Sequence, residues 1–144
     1  MYCVSLNSIY ARVYPELEKL LCMDTAASKL GLTNGWGIPM KFYHTKGDVL
    51  NSSYIQGYKV IAMDNVDLVE LSDGIKCTTP ERTIRDLLTS STNEALIVEC
   101  LANYLPDDES DELDLTVLDA LAVNNNMQQL IEKYKPRVLQ YLGG

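Results

Sequence analysis

Apolar positions recur at helical spacing toward both ends of the chain, whereas the middle carries short continuous or alternating apolar runs. At the start, Tyr2, Val4, Leu6, Ile9, Tyr10 and Val13 alternate only partly with polar residues, which suits either a short strand or an ordered lead-in. Pro15 fits the first turn of a helix with Glu16 and Glu18 at its positive end, and Leu17, Leu20 and Leu21 supply its apolar stripe. Asp24 is placed to cap a second, short helix over Thr25 to Leu30, rich in the small residues Ala26, Ala27 and Ser28. Gly31 then suits the left-handed residue that closes a helix, and Asn34-Gly35 marks a turn in the loop after it.

From Ile38 to Cys77 the pattern changes to strand-length runs: Pro39 to His44, Tyr54 to Met63, Val66 to Leu71 and Ile75 to Thr78. Turn-forming clusters separate them at Lys46-Gly47-Asp48, Asp64-Asn65 and Ser72-Asp73-Gly74, the last a good hairpin signal. After Thr79 helical spacing returns. One helix runs to about Thr89, and a second, capped by Thr92 or Asn93, carries Leu96, Ile97, Cys100, Leu101 and Tyr104 up to Pro106. The acidic run from Asp107 to Glu112 reads as a solvated loop, since a calcium loop needs a central glycine that it lacks. A short helix around Leu115 to Ala122 precedes a last one bearing Met127, Leu130, Ile131, Tyr134, Val138 and Leu139. Pro136 inside that pattern predicts a kink or a restart.

Together these elements predict an α+β fold in one domain over residues 1–144. N-terminal helices occupy 1–36, a strand-rich stretch 37–78 and helices 79–142. Short connections between runs predict a small, mostly antiparallel sheet over about 38–78, packed against both helical parts.

The densest local signals lie between Cys77 and Leu88, where a strand gives way to a helix. Either Thr79 caps with Pro80 at the first helical position, or Thr78 caps and Glu81 closes a capping box. Ile84, Leu87 and Leu88 form the buried face, while Glu81–Arg85 and Arg82–Asp86 are spaced as ion pairs on the exposed one.

Net charge changes this picture: −8, from 12 basic and 20 acidic side chains, disfavours a stand-alone nucleic-acid binder and favours a protein partner. No apolar run is long enough for a bilayer and no signal-peptide layout opens the chain, so the expected compartment is the cytoplasm. The cysteines at 3, 22, 77 and 100 have no CxxC spacing and are expected as small buried hydrophobes; neither a metal nor a cofactor is expected. His44, at a strand end, has no ligand spacing around it. No Walker loop, GxGxxG, GxSxG or HExxH is present, and no catalytic residue is assigned. Candidate partner-binding residues are Trp36, which suits either a core anchor or an exposed hot spot, and the basic cluster Lys133, Lys135 and Arg137.

Two stretches, Asp24-Thr25-Ala26-Ala27-Ser28-Lys29-Leu30-Gly31-Leu32-Thr33-Asn34 and Thr79-Pro80-Glu81-Arg82-Thr83-Ile84-Arg85-Asp86-Leu87-Leu88, carry a family resemblance. The first is similar to the small-residue helix and Gly-Leu-Thr loop of the AbiEi-type antitoxins of bacterial abortive-infection systems. The second resembles that family's Thr/Ser-Pro-Glu-Arg-Thr segment. In layout the likeness spans residues 20–140, and its motif residues Ser28, Gly31, Leu32, Thr33, Thr79, Pro80, Glu81, Arg82 and Asp86 are expected to be structural. The resemblance implies a domain that neutralises a nucleotidyltransferase-like toxin. The family's winged helix is not expected, since too few residues precede Asp24. The expected function is thus a non-enzymatic protein-binding module of a phage-defence or antidefence system, with a toxin, defence protein or host factor as partner. The alternatives are a DNA-binding regulator of the same family, acting through the basic cluster, and a mobile-element inhibitor of a host defence protein. A small enzyme with convergent carboxylates between sheet and helices would be the reading from a different class.

Overall fold

A computed structural model describes residues 20–34, 40–44, 55–59, 65–72, 74–91, 93–106 and 114–143. The fold is α+β, a five-stranded sheet with helices on it. In chain order come β1 (Leu20–Leu21), α1 (Met23–Lys29), β2 (Met40–His44), β3 (Ile55–Lys59), a 3-10 turn (Asn65–Asp67), β4 (Leu68–Glu70) and β5 (Lys76–Thr78). The helices α2 (Pro80–Ser90) and α3 (Glu94–Tyr104), a 3-10 segment (Leu115–Leu121) and α4 (Asn125–Gly143) follow.

The sheet order is β3-β2-β1-β5-β4. β1 pairs with β2 and β4 with β5 antiparallel, but β1 with β5 and β2 with β3 run parallel. The sheet is therefore mixed rather than mostly antiparallel. The expectation of antiparallel neighbours treated each turn cluster as a hairpin, which holds only at Gly74. There φ is +81°, and the Gly74 and Leu71 amides donate to the Leu71 and Ile75 carbonyls. β1 is a second correction, because Leu20 and Leu21 were expected in a helical stripe and instead form the central strand. Two adjacent leucines fit either period. Burial decides: Leu20 packs with the helices and Leu21 against Ala26, Met40, Phe42 and Cys77 on the other face of the sheet.

α1 begins two residues earlier than expected, with Cys22 at the cap position and no side-chain cap bond. Asp24 lies in its first turn and pairs with Lys41 instead. Met23 makes the turn out of the strand with φ of 54°, an uncommon conformation for a residue with a side chain. The other end of α1 behaves as predicted. Gly31 sits at φ +77°; its amide donates to the Ser28 carbonyl, and the Leu32 amide donates to that of Ala27. That is the two-bond closure of a helix by a left-handed residue.

α2 starts with Thr79 as cap, its hydroxyl accepting from the Arg82 amide, and Pro80 first in the helix. α3 is capped by Asn93 and α4 by Asn124, whose side-chain oxygen accepts from the Met127 amide. The segment expected as a short helix near Leu115 is 3-10, capped by Asp114. α4 passes through Pro136 as one continuous helix. Ile84, Leu87, Ile97, Leu101, Leu118, Leu121, Ile131 and Val138 fill the core between helices and sheet. Cys22, Cys77 and Cys100 are buried thiols outside any disulfide, as expected of small hydrophobes, and Cys3 lies outside the described residues. His44 lies at the end of β2. The acidic run 107–112 lies outside the described residues.

A Cβ at Gly31 would meet nothing within 4 Å, so a substitution there has conformational strain and no clash. Gly31→Ala is expected to lower unfolding stability by about 1–2 kcal/mol, read by urea denaturation with the m-value unchanged.

Candidate functional site

Sequence motif residues converge on one polar cluster beneath α2. Asp86, buried on the inner side of the helix, accepts from the Tyr43 hydroxyl on β2 at 2.8 Å and from Arg82 Nε at 2.8 Å. Arg82 Nη1 reaches on to Asp67, before β4, at 2.9 Å, and its guanidinium lies 5.7 Å from the centre of the Tyr43 ring. Beside it Thr78 and Thr83 share a buried hydroxyl–hydroxyl bond of 2.6 Å. Arg82 and Asp86 thus form their ion pair, but in a half-buried setting rather than on the open face. Arg85 turns to the Leu121 carbonyl, donating from Nε at 2.7 Å, in place of a pair with Glu81.

Burial pushes the Asp86 carboxyl above its ordinary range, outweighing the bonds from Tyr43 and Arg82 that pull it down. Burial likewise raises the Tyr43 phenol, and its bond to Asp86 raises it further. For Arg82 burial works against the charge, yet the bond and charge of Asp86 more than offset this, and its pKa rises. The two partners differ because Asp86 is the more deeply buried. The cluster is self-satisfied: carboxylate, phenol and guanidinium face one another, an arrangement that holds α2 on the sheet. Of the motif residues in and after α1, the Ser28 carbonyl accepts from Gly31, Leu32 closes the helix, and Thr33 is buried in the loop that follows.

The basic cluster is also engaged internally. Lys133 and Arg137 both meet Glu94, at 3.1 and 2.7 Å, and flank the Tyr134 ring at 5.3 and 5.7 Å. Lys135 meets Asp119 at 2.8 Å and Glu132 at 2.7 Å. Hydrogen bonds from Lys133 and Arg137 hold the Glu94 carboxyl below its usual range, and Lys135 does the same for Asp119. The structure therefore brings these three cations to carboxylates of their own chain. Trp36 lies outside the described residues.

What the sequence reading missed is the far end of α4. Met127, Ile131, Tyr134 and Val138 form its buried stripe, at successive offsets of four, three and four. The same spacing continues to Tyr141 and Leu142, yet these are 52% and 44% exposed, and Leu139 beside them is 49% exposed. Glu94, the first residue of α3, already pairs with Arg137, and the final turn carries the stripe onward. Tyr141 also walls a groove of about 340 Å³ with Ala95, Val98, Glu99, Arg137 and Gln140. An apolar row that outruns its cover is a typical contact surface. Extending the 3.6-residue period past Leu139 would have found it.

Among the described residues no group of histidine, cysteine and carboxylate side chains could hold a metal ion, and no helix is long and apolar enough to cross a membrane. Neither a protein-family model nor a curated protein matches the chain.

Asp86 has a raised pKa in the folded state, so protonation favours the fold and its contribution is lost as pH rises through that pKa. As pH rises from the ordinary aspartate range through the raised pKa of Asp86, the unfolding stability of the native chain relative to Asp86→Asn is expected to fall. Paired chemical denaturation curves measure it. A second outcome concerns the partners of Asp86. Removing one side of this buried pair leaves the other unpaired, so Arg82→Ala is expected to cost about 2–4 kcal/mol and Tyr43→Phe about 1 kcal/mol.

Proposed function

We propose that this chain is a protein-binding module without catalytic chemistry of its own, acting in the cytoplasm within a phage-defence or antidefence system. The observation that carries the reading is the apolar stripe of α4, continued by Tyr141 and Leu142 into solvent beside the groove against α3. Such rows of aromatic and aliphatic side chains supply the anchors of protein interfaces. Support comes also from the net charge of −8, which suits a basic partner surface, and from the likeness of the two quoted stretches to AbiEi-type antitoxins. On that likeness the partner is a nucleotidyltransferase-like toxin. The DNA-binding alternative gains nothing from the structure, because Lys133, Lys135 and Arg137 are each paired with a carboxylate.

The test is co-expression with the nucleotidyltransferase-like protein encoded nearest to the gene, followed by titration of the purified pair. The native chain is expected to bind it and relieve its growth arrest. Tyr141→Ala with Leu142→Ser is expected to weaken binding at least about tenfold, with the melting temperature held. A native chain that neither binds the toxin nor restores growth sinks the reading; unchanged affinity in the double variant moves the interface elsewhere.

A further inference from the structure

A second concave surface, separate from the end of α4, lies where α1, β2 and the α2–α3 junction meet. It is an open cleft of about 360 Å³, a size at the lower end of small-molecule sites. Its apolar side is built by Met23, Leu87 and Leu96. Its polar side carries Lys41, whose ammonium touches Asp24 at 2.6 Å, together with Tyr58, Ser91 and Asn93.

The hydrogen-bonding capacity of that polar side is lopsided. Among the described residues Lys41 Nζ spends one of its three protons, on Asp24, leaving two. Asn93 uses its side-chain oxygen to cap α3, accepting from the Leu96 amide, so its NH₂ group is the end that remains. Ser91 accepts from the Asn93 amide and keeps its own proton, and the Tyr58 ring stands edge-on to that of Tyr43. Among the described lining residues Ser90 spends its hydroxyl proton on the Asp86 carbonyl, and Asp24, their one carboxylate, is already half-used by Lys41, so the protons left on Lys41, Asn93 and Ser91 still outnumber the acceptors. A site with surplus donors around an ammonium takes a ligand rich in acceptors and negative in charge. The opposite wall of methionine and leucine side chains takes an apolar body.

The Lys41 backbone is locked in place for this task. Its amide donates to the Thr25 hydroxyl at 2.8 Å and its carbonyl accepts from the Cys22 amide at 3.1 Å, so the strand bearing the ammonium is tied both to α1 and to the residue before it. Met23, directed into the cleft from its left-handed turn, is held by the same junction. The ammonium and the apolar wall therefore keep a set spacing, as a preorganised site requires.

We infer that this cleft binds a small amphiphilic anion, a compact apolar or aromatic body bearing one phosphate or carboxylate, with the acid on Lys41 and the body against Met23, Leu87 and Leu96. Asp24 then acts as an internal competitor for the ammonium, which sets the affinity low in the native chain.

Phenyl phosphate is the probe, with inorganic phosphate as the headgroup alone, each titrated into the full chain to about 20 mM, a range that reads dissociation constants near 1 mM. Amide shifts in the NMR spectrum are expected at Met23, Lys41, Leu87 and Leu96, at lower concentration for phenyl phosphate than for phosphate. Lys41→Met is expected to weaken binding about tenfold. Asp24→Asn, which frees the ammonium, is expected to tighten it about threefold, a gain that a merely structural ion pair would not produce. Should Lys41→Met fail to fold, the gain in Asp24→Asn decides alone. Absence of shifts at these residues, equal affinity in native chain and Asp24→Asn, or equal binding of phosphate and phenyl phosphate would overturn the assignment.

Discussion

The fold hangs on the contact between Asp86 and its two donors. A carboxylate on the inner face of α2 is costly to bury, and the Tyr43 hydroxyl and the Arg82 guanidinium make its burial tolerable. Because Tyr43 belongs to β2 and Arg82 reaches Asp67 ahead of β4, one helix position ties together strands from both halves of the sheet. Between those halves runs β1, only two residues long, with Leu20 and Leu21 buried on opposite faces. So short a strand contributes few ladder bonds. The register of the sheet against α2 is instead constrained by charges whose misplacement would leave one of them buried and unpaired.

That constraint distributes the remaining surface chemistry. With Arg82 and Asp86 committed beneath α2, and with Lys133, Lys135 and Arg137 paired to Glu94, Asp119 and Glu132, much of the charge on the helical side is internally balanced. Exposed pairs of this kind add little to stability, since water competes for both partners. Their consequence is for recognition. They neutralise the flank of α4, so that its last turn offers mainly apolar side chains, Leu139, Tyr141 and Leu142, rather than a cationic patch. The protein-binding reading and the cleft at Lys41 use different faces of the first turns of α3: Ala95 and Val98 border the first, Asn93 and Leu96 the second.

Local chemistry made much of this visible in advance. Thr79 and Pro80 start α2, Asn93 starts α3, Gly31 closes α1 and Gly74 turns the hairpin, each for a reason confined to its own few residues. The i, i+4 spacing of Arg82 and Asp86 likewise announced their pairing. It could not announce its burial, because that depends on Tyr43 and Asp67, respectively thirty-nine and fifteen residues before Arg82. The basic cluster erred in the same way: its density along the chain is real, but Glu94 neutralises two of its members from 39 and 43 residues away.

The sequence by itself determined the α+β class, the starts of α2 and α3, the close of α1 and the apolar stripes of α2, α3 and α4, since all follow from side-chain periodicity and capping groups within a turn or two. The tertiary structure alone decided that Leu20 and Leu21 are the central strand, that half of the strand pairings are parallel, and which charges are buried or spent. The physical reason is common to all three. Strand partners and ion-pair partners are chosen by distance in space, and a two-residue strand or a single carboxylate carries no period along the chain from which its partner could be read.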